Sequence, residues 1–271
     1  KSIADIYMVF GGVAKYLSYL DITLSIAQNI NRLFFSLHSP LYGEFDALFK
    51  SLFYDKASIH KKIIDVLLSK RGGFTMLELE SLIDEVKLFT LRNHIDELID
   101  TGFIKPIGRY NHASKNTKFI VIDSFCLFFN KWVQALSKND IANLIDYFET
   151  KSTSHDYIIW QGYAFEILCM ANIQLYLKAR GLSAGVKSIG YWDYVSNDAS
   201  QKGAQIDILI EYIGNTYDIV ECKYYNDEFV IDKDYASNLQ NKKEKFIINA
   251  IKNKKYDLKM IMLTSYGTKI N

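Results

Sequence analysis

Two Ile/Val-rich segments, Gln205-Ile206-Asp207-Ile208-Leu209-Ile210 and Ile219-Val220-Glu221-Cys222-Lys223-Tyr224, carry an Asp, a Glu and a Lys inside otherwise apolar runs. They read as the two strands of a β-hairpin. Ionised side chains are rarely fully buried unless they are paired or hold a metal, so three of them in core strands need a reason. Side chains alternate faces along a strand, which puts Glu221 and Lys223 on one face. A two-residue turn at Gly214-Asn215 would set Asp207 opposite Cys222, facing away from Glu221. A three-residue turn, Gly214-Asn215-Thr216, sets Asp207 opposite Lys223 and leaves Glu221 on the diagonal, roughly 7 Å away. A shared site therefore requires an odd-length turn or a bulge.

The residue types point to a metal site for phosphodiester cleavage. Carboxylate oxygens suit Mg²⁺ or Mn²⁺, which lower the pKa of a coordinated water. Asp207 and Glu221 would hold the cation, with Lys223 orienting or deprotonating the water or balancing charge in the transition state. A third carboxylate comes from Trp160-Gln161-Gly162-Tyr163-Ala164-Phe165-Glu166-Ile167-Leu168-Cys169. This segment reads as a buried helix with Phe165, Cys169, Ile173 and Tyr176 on its apolar face, interrupted by Glu166. Gly162, one turn earlier, would let a backbone or ligand come close. Each residue also has a structural explanation: Glu166 in a buried network or paired with Lys223, Asp207 satisfying the turn after Gly203, Gln205 simply opening a strand.

A helix Glu, then Asp, then Glu-x-Lys on a hairpin resembles the PD-(D/E)XK nuclease superfamily. The fuller string Gly-x-x-Phe-Glu, Gln-Ile-Asp and Glu-Cys-Lys is similar to the C-terminal domain of a family of archaeal-type AAA+ ATPases also found in bacteria. Gly11-Gly12-Val13-Ala14-Lys15-Tyr16-Leu17 resembles the segment that closes the ATPase part of those proteins, with Ala14 where the family usually has Pro. Residues 57 to 122 resemble their winged-helix domain. The resemblance implies a mixed α/β chain in three parts: a helical end of an ATPase-type module (1–55), a winged helix (56–149) and a restriction-endonuclease-like domain (150–271). It implies DNA as a partner, together with an N-terminal ATPase half of the same protein, and it leaves oligomerisation open. The chain opens at Lys1 and looks like the tail of a longer protein. It contains no Gly-x-x-x-x-Gly-Lys-[Ser/Thr] phosphate loop, so ATP would enter only through that other half.

Composition fits this outline. With 271 residues, 49% of them hydrophobic, the chain has material for two cores. A formal charge of +1 confines any nucleic-acid surface to local patches. Cys126, Cys169 and Cys222 lack metal-ligand spacing and are odd in number, which argues for a reducing cytoplasm. There is no signal sequence and no apolar run of about 20 residues, so no membrane role is expected.

Within the winged helix, Ile59 to Lys70 is amphipathic, Thr75-Met76-Leu77-Glu78 is a capping box, and Thr90 caps a third helix running to Gly102. Phe103 to Ile107 and Phe119 to Ile122 are the wing strands. Their loop carries Arg109, Lys115 and Lys118, which suit phosphates. The third helix does not: Arg92 and His94 are outnumbered by Asp96, Glu97 and Asp100. Phe125, Phe128, Phe129 and Trp132 suit a core helix, and Thr150 to His155 reads as a linker. The last domain then runs helix, three strands, helix, strand, with Tyr191 to Tyr194 in its first strand and Leu258 to Thr264 as its last. Its second helix, Ile231 to Lys255, is lysine-rich: Lys242, Lys243, Lys245, Lys252, Lys254 and Lys255. Such a run is often only a solvated face; beside a metal site Lys242 and Lys243 would instead hold a nucleic-acid backbone, and the resembling family has a Lys following a Leu in this helix, matching Leu239 and Lys242. The alternative to a nuclease is a catalytically silent DNA-binding, regulatory or interaction module. The five histidines do not cluster in the sequence, and none is assigned to catalysis.

Overall fold

The structure is a computed structural model that describes residues 2–36, 38–112, 114–142, 146–196, 202–251 and 255–270. It is a mixed α/β protein that divides into two compact units. One comprises Lys1–Pro106 with Phe119–Leu168, the other Ile107–Lys118 with Cys169–Asn271.

The first unit opens with four helices, α1 (Ser2–Phe10), α2 (Ala14–Leu17), α3 (Ile26–Phe34) and α4 (Glu44–Phe53). Ser25 and Gln28 close a reciprocal capping box at the start of α3. Next come α5 (Ala57–Leu68), β1 (Phe74–Thr75), α6 (Met76–Leu82), α7 (Leu88–Asp100), β2 (Ile104–Arg109) and β3 (Lys118–Val121). The Thr75–Glu78 capping box is present at α6. Helix α7 starts earlier than its hydroxyl signal suggested: Lys87 is the N-cap and Thr90 sits inside the first turn. Burial of Leu91, Ile95 and Leu98 sets this helix, rather than a side-chain cap. The strand order β1-β3-β2 completes the helix-and-wing arrangement.

Four more helices finish the unit: α8 (Ser124–Trp132), α9 (Lys138–Ala142), α10 (Tyr147–Lys151) and α11 (His155–Ala171). Asp123 caps α8 by accepting from the Cys126 backbone N–H (2.7 Å). The expected linker shortens to a turn at residues 152–154, because Thr150 and Lys151 close α10 and His155 opens α11. The aromatic residues of α8 pack as their spacing implied. Phe128 meets Phe34 (4.9 Å between ring centroids) and Trp160 (5.6 Å), and Phe129 stacks on Phe45 (4.8 Å).

The second unit contains α12 (Ile173–Ala179), β4 (Val186–Tyr194), β5 (Ala204–Tyr212), β6 (Thr216–Lys223), β7 (Phe229–Ile231), α13 (Lys233–Phe246), β8 (Asp257–Thr264) and β9 (Thr268–Ile270). β4, β5 and β6 form an antiparallel meander, and β8 joins β6 in parallel from Thr216↔Asp257 to Lys223↔Thr264. Parallel neighbours need a crossover connection, and α13 supplies it. At the other edge, the end of β2 pairs in parallel with β4 at Gly108↔Gly190. The backbones come so close there that a Cβ on Gly190 would lie 2.2 Å from the Gly108 carbonyl oxygen, which only glycine tolerates. The small parallel pair β7–β9 was not anticipated.

Tyr110, Trp192, Leu209, Tyr217, Ile219 and Phe246 lead the core between α13 and the sheet. Helix α13 runs on as a π-helical turn, Ile247–Ile251. Lys252 and Lys254 of the basic run lie outside the described residues. Among the described residues, no helix is long and apolar enough to cross a membrane.

Candidate functional site

The hairpin turn has the odd length a shared site requires, but it begins one residue earlier than the sequence suggested. Tyr212 pairs with Thr216 across Ile213, Gly214 and Asn215. Gly214 (φ 83°) and Asn215 (φ 58°) take the left-handed conformations, which frees Thr216 to pair. The register is therefore displaced by two residues, and Asp207 is not opposite Lys223. The last hydrogen-bonded pair is Ile208↔Val220, so the next position sets Asp207 level with Glu221.

A bulge is present as well. Gly190 pairs with Leu209 and Trp192 with Ile206, leaving Asp207 and Ile208 as two residues against Tyr191 alone. The extra residue lets Ile206 join Leu209 in the core. Asp207, half-buried, is engaged by its neighbour: the Gln205 side-chain amide donates to Asp207 Oδ1 (2.5 Å).

Glu221 is the centre of the constellation. It is only 6% exposed, and Lys242 Nζ on α13 donates to its Oε1 at 2.5 Å. Tyr235, also on α13, directs its hydroxyl at Oε2 from 3.4 Å. The Lys223 ammonium sits 5.2 Å from the centre of the Tyr235 ring. The structure thus gathers Glu221, Lys223 and Lys242 around one tyrosine. That tyrosine escaped sequence reading, although Tyr235, Leu239 and Lys242 recur at i, i+4 and i+7 on one face of a helix. Tyr235 also lines a cleft of about 930 Å³ together with Lys202, Ser237, Asn238, Asn241 and Lys245, with Asp232 and Asp234 at one end.

Glu166 lies on α11 in the first unit, half-buried. Its charge adds to the burial that pushes the Tyr163 hydroxyl up to about 12, while Arg71 opposes the shift. The open space beside Gly162 is not filled: a Cβ there would meet nothing within 4 Å among the described residues.

Two of the proposed phosphate ligands on the wing are committed elsewhere. Arg109 donates through Nε to Asp193 Oδ1 (2.6 Å) and through Nη2 to the Asp193 carbonyl (3.0 Å). Lys118 lies over the Tyr191 ring at 4.3 Å. Lys115 is exposed on the short turn Ser114–Asn116, and Lys243 is half-buried on α13.

A second buried carboxylate on β6 gave no signal in the sequence. Asp218, 1% exposed, accepts from Tyr176 Oη (2.7 Å) and Tyr212 Oη (2.8 Å), with Arg180 Nη1 3.9 Å away. Burial first, then the bond to Asp218, pushes both tyrosine hydroxyls well above their usual range.

Comparison of the chain with family models, with curated proteins and with solved structures finds no match.

Proposed function

We propose that the second unit is a nuclease-like domain of the PD-(D/E)XK pattern that cleaves phosphodiesters with Mg²⁺ or Mn²⁺. The observation that carries this reading is Glu221: a buried carboxylate sharing a strand face with Lys223 and reached by Lys242 from the crossover helix. A buried charge with basic partners beside an open cleft is the setting in which functional ionisable groups concentrate.

The donor set fits a small hard cation, because Asp207 and Glu221 offer only carboxylate oxygens and Glu221 Oε2 has just the long Tyr235 contact. Glu166, the third carboxylate expected from the sequence, belongs to the first unit and is not counted in this site. When bound, the cation would make a coordinated water more acidic and offset charge on the phosphate. Lys223 would orient or deprotonate that water, Tyr235 would hold Glu221 in place, and Lys242 would yield the carboxylate to the cation. Lys202 and Lys245, which line the cleft, offer contacts for a DNA backbone. The winged helix would serve packing or backbone contact.

One observation favours a second reading, a DNA-binding or regulatory module without turnover. The close Lys242 ion pair already neutralises Glu221. Cleavage of supercoiled, linear and single-stranded DNA with Mg²⁺ or Mn²⁺, beside Asp207→Ala and Lys223→Ala, separates the two. Cleavage is expected in the parent chain and should fall by on the order of 10² or more in Lys223→Ala. Absence of both cleavage and calorimetric Mn²⁺ binding would overturn the nuclease reading.

A further inference from the structure

A polar cluster in the first unit was invisible in the sequence. His60 on α5 and His94 and Glu97 on α7 each direct a possible ligand atom to a common point, all within 4.8 Å of one another. His60 has no exposed side-chain surface, His94 is 7% exposed and Glu97 35%. The His60 ring is fixed on both sides. It stacks on Phe53 (3.9 Å between centroids, 9°) and meets His94 edge-on (4.7 Å, 80°).

The hydrogen bonds determine which nitrogen is available. His60 Nδ1 lies 2.8 Å from the Lys56 carbonyl oxygen, which can only accept, so Nδ1 carries the proton. In the neutral ring, Nε2 is then a lone pair. It lies 2.8 Å from Glu97 Oε2, another lone-pair atom, in a contact not aligned as a hydrogen bond, and Nε2 is a buried atom without a hydrogen-bond partner. Two electron-rich atoms held this close call for something electropositive between them. His94 Nδ1 is 3.4 Å from the same carboxylate oxygen. Ligands about 2.1 Å from a tetrahedral zinc ion stand about 3.4 Å apart, which is the His94–Glu97 separation, so binding would move the His60 ring away from Glu97 to match it.

We propose that His60, His94 and Glu97 form a site for a borderline divalent transition metal, Zn²⁺ in the first place, that clamps α5 to α7 in the winged helix. Two imidazoles and one carboxylate suit Zn²⁺ and are poor ligands for Mg²⁺ or Ca²⁺. The Nδ1–H bond to the Lys56 carbonyl is the outer contact that orients a metal-binding histidine. Lys56 Nζ holds the other carboxylate oxygen, Oε1, at 2.6 Å and leaves Oε2 for the metal. Glu97 borders a cleft of about 350 Å³ with Phe53, Tyr54, Lys56, Asp100 and Thr101, which gives an entry path and room for water as a fourth ligand.

The test is titration of the chelator-stripped, full 271-residue chain with Zn²⁺ by calorimetry and with Co²⁺ by visible absorption. The expected result is a single equivalent bound, tetrahedral cobalt bands, and a Zn²⁺-dependent rise in melting temperature that millimolar Mg²⁺ does not reproduce. Glu97→Gln, at a partly exposed position, should keep its circular dichroism and bind at least about tenfold more weakly. His94→Gln provides the same readout if Glu97→Gln does not fold. Asp207→Ala should bind Zn²⁺ like the parent, which separates this site from the hairpin. Absence of saturable Zn²⁺ binding, binding unchanged in both variants, or binding lost in Asp207→Ala would overturn the proposal.

Discussion

Asp218 and Glu221 stand three residues apart on β6, on opposite faces of one sheet, and both are buried, yet their partners differ in kind. Asp218 is caged by two tyrosine hydroxyls at normal hydrogen-bond distances, with Arg180 farther off. Glu221 faces the half-buried Lys242 ammonium on one oxygen and a long tyrosine contact on the other. Two hydroxyl donors converging on Asp218 Oδ2 hold that carboxylate rigidly in place. A flexible lysine at the rim neutralises a carboxylate while remaining free to yield it to another cation. The first arrangement stabilises a fold; the second suits a site.

That contrast breaks most readily at Asp218. Asp218→Ala would remove the acceptor of the buried Tyr212 hydroxyl and leave the half-buried Tyr176 hydroxyl with its Arg180 bond. It is expected to cost roughly 3 kcal/mol of stability in urea unfolding, since two bonds to a charged acceptor are lost. Mn²⁺ affinity of the folded fraction should not change. A loss below about 1 kcal/mol would mean that the cage is not structural.

Lys242→Met sharpens the other half of the comparison. It leaves Glu221 buried without its ammonium, and the pair is intermediate between exposed and fully buried. A cost of roughly 2 kcal/mol is expected, between the values for those two classes. If Glu221 is a metal ligand, the same substitution removes a competitor and Mn²⁺ should bind at least as tightly by calorimetry. Weaker binding would make Lys242 a positioning residue of the site instead.

Much of the frame was legible because it follows local rules. Period-two alternation gave both strands of the hairpin and placed Glu221 and Lys223 on one face. Thr75 and Glu78 announced α6, and the aromatic spacing of α8 announced its burial. The hairpin register escaped because Gly214-Asn215 permits several turns, and only the three-dimensional path shows that Ile213 belongs to the loop while Thr216 pairs. The Asp218 cage joins residues 42 and 6 positions away in the chain, and the histidine cluster joins α5 to α7. Neither has a local pattern. His94 and Glu97 at i, i+3 were the sole hint of the latter, and among the acidic residues of α7 it passed as ordinary charge patterning.

The smallest effects test the comparison at single hydroxyls. Tyr212→Phe deletes a buried donor to Asp218 and should cost about 1.5 kcal/mol, whereas removing the long 3.4 Å Tyr235 contact to Glu221 in Tyr235→Phe should weaken that carboxylate's hold less. Alkaline unfolding probes the Asp218 cage directly. Burial and Asp218 raise the folded pKa of Tyr212 and of Tyr176 above the unfolded value near 10. The folded chain therefore keeps protons that the unfolded chain releases, so this stability is complete below about pH 10 and declines as pH rises beyond it. Each tyrosine contributes at most about 1.4 kcal/mol per pH unit to that decline. Unfolding followed from pH 9 to 12 should show a shallower slope in Tyr212→Phe than in the parent. A parental slope in Tyr212→Phe would show that the Asp218 cage does not hold the tyrosine proton.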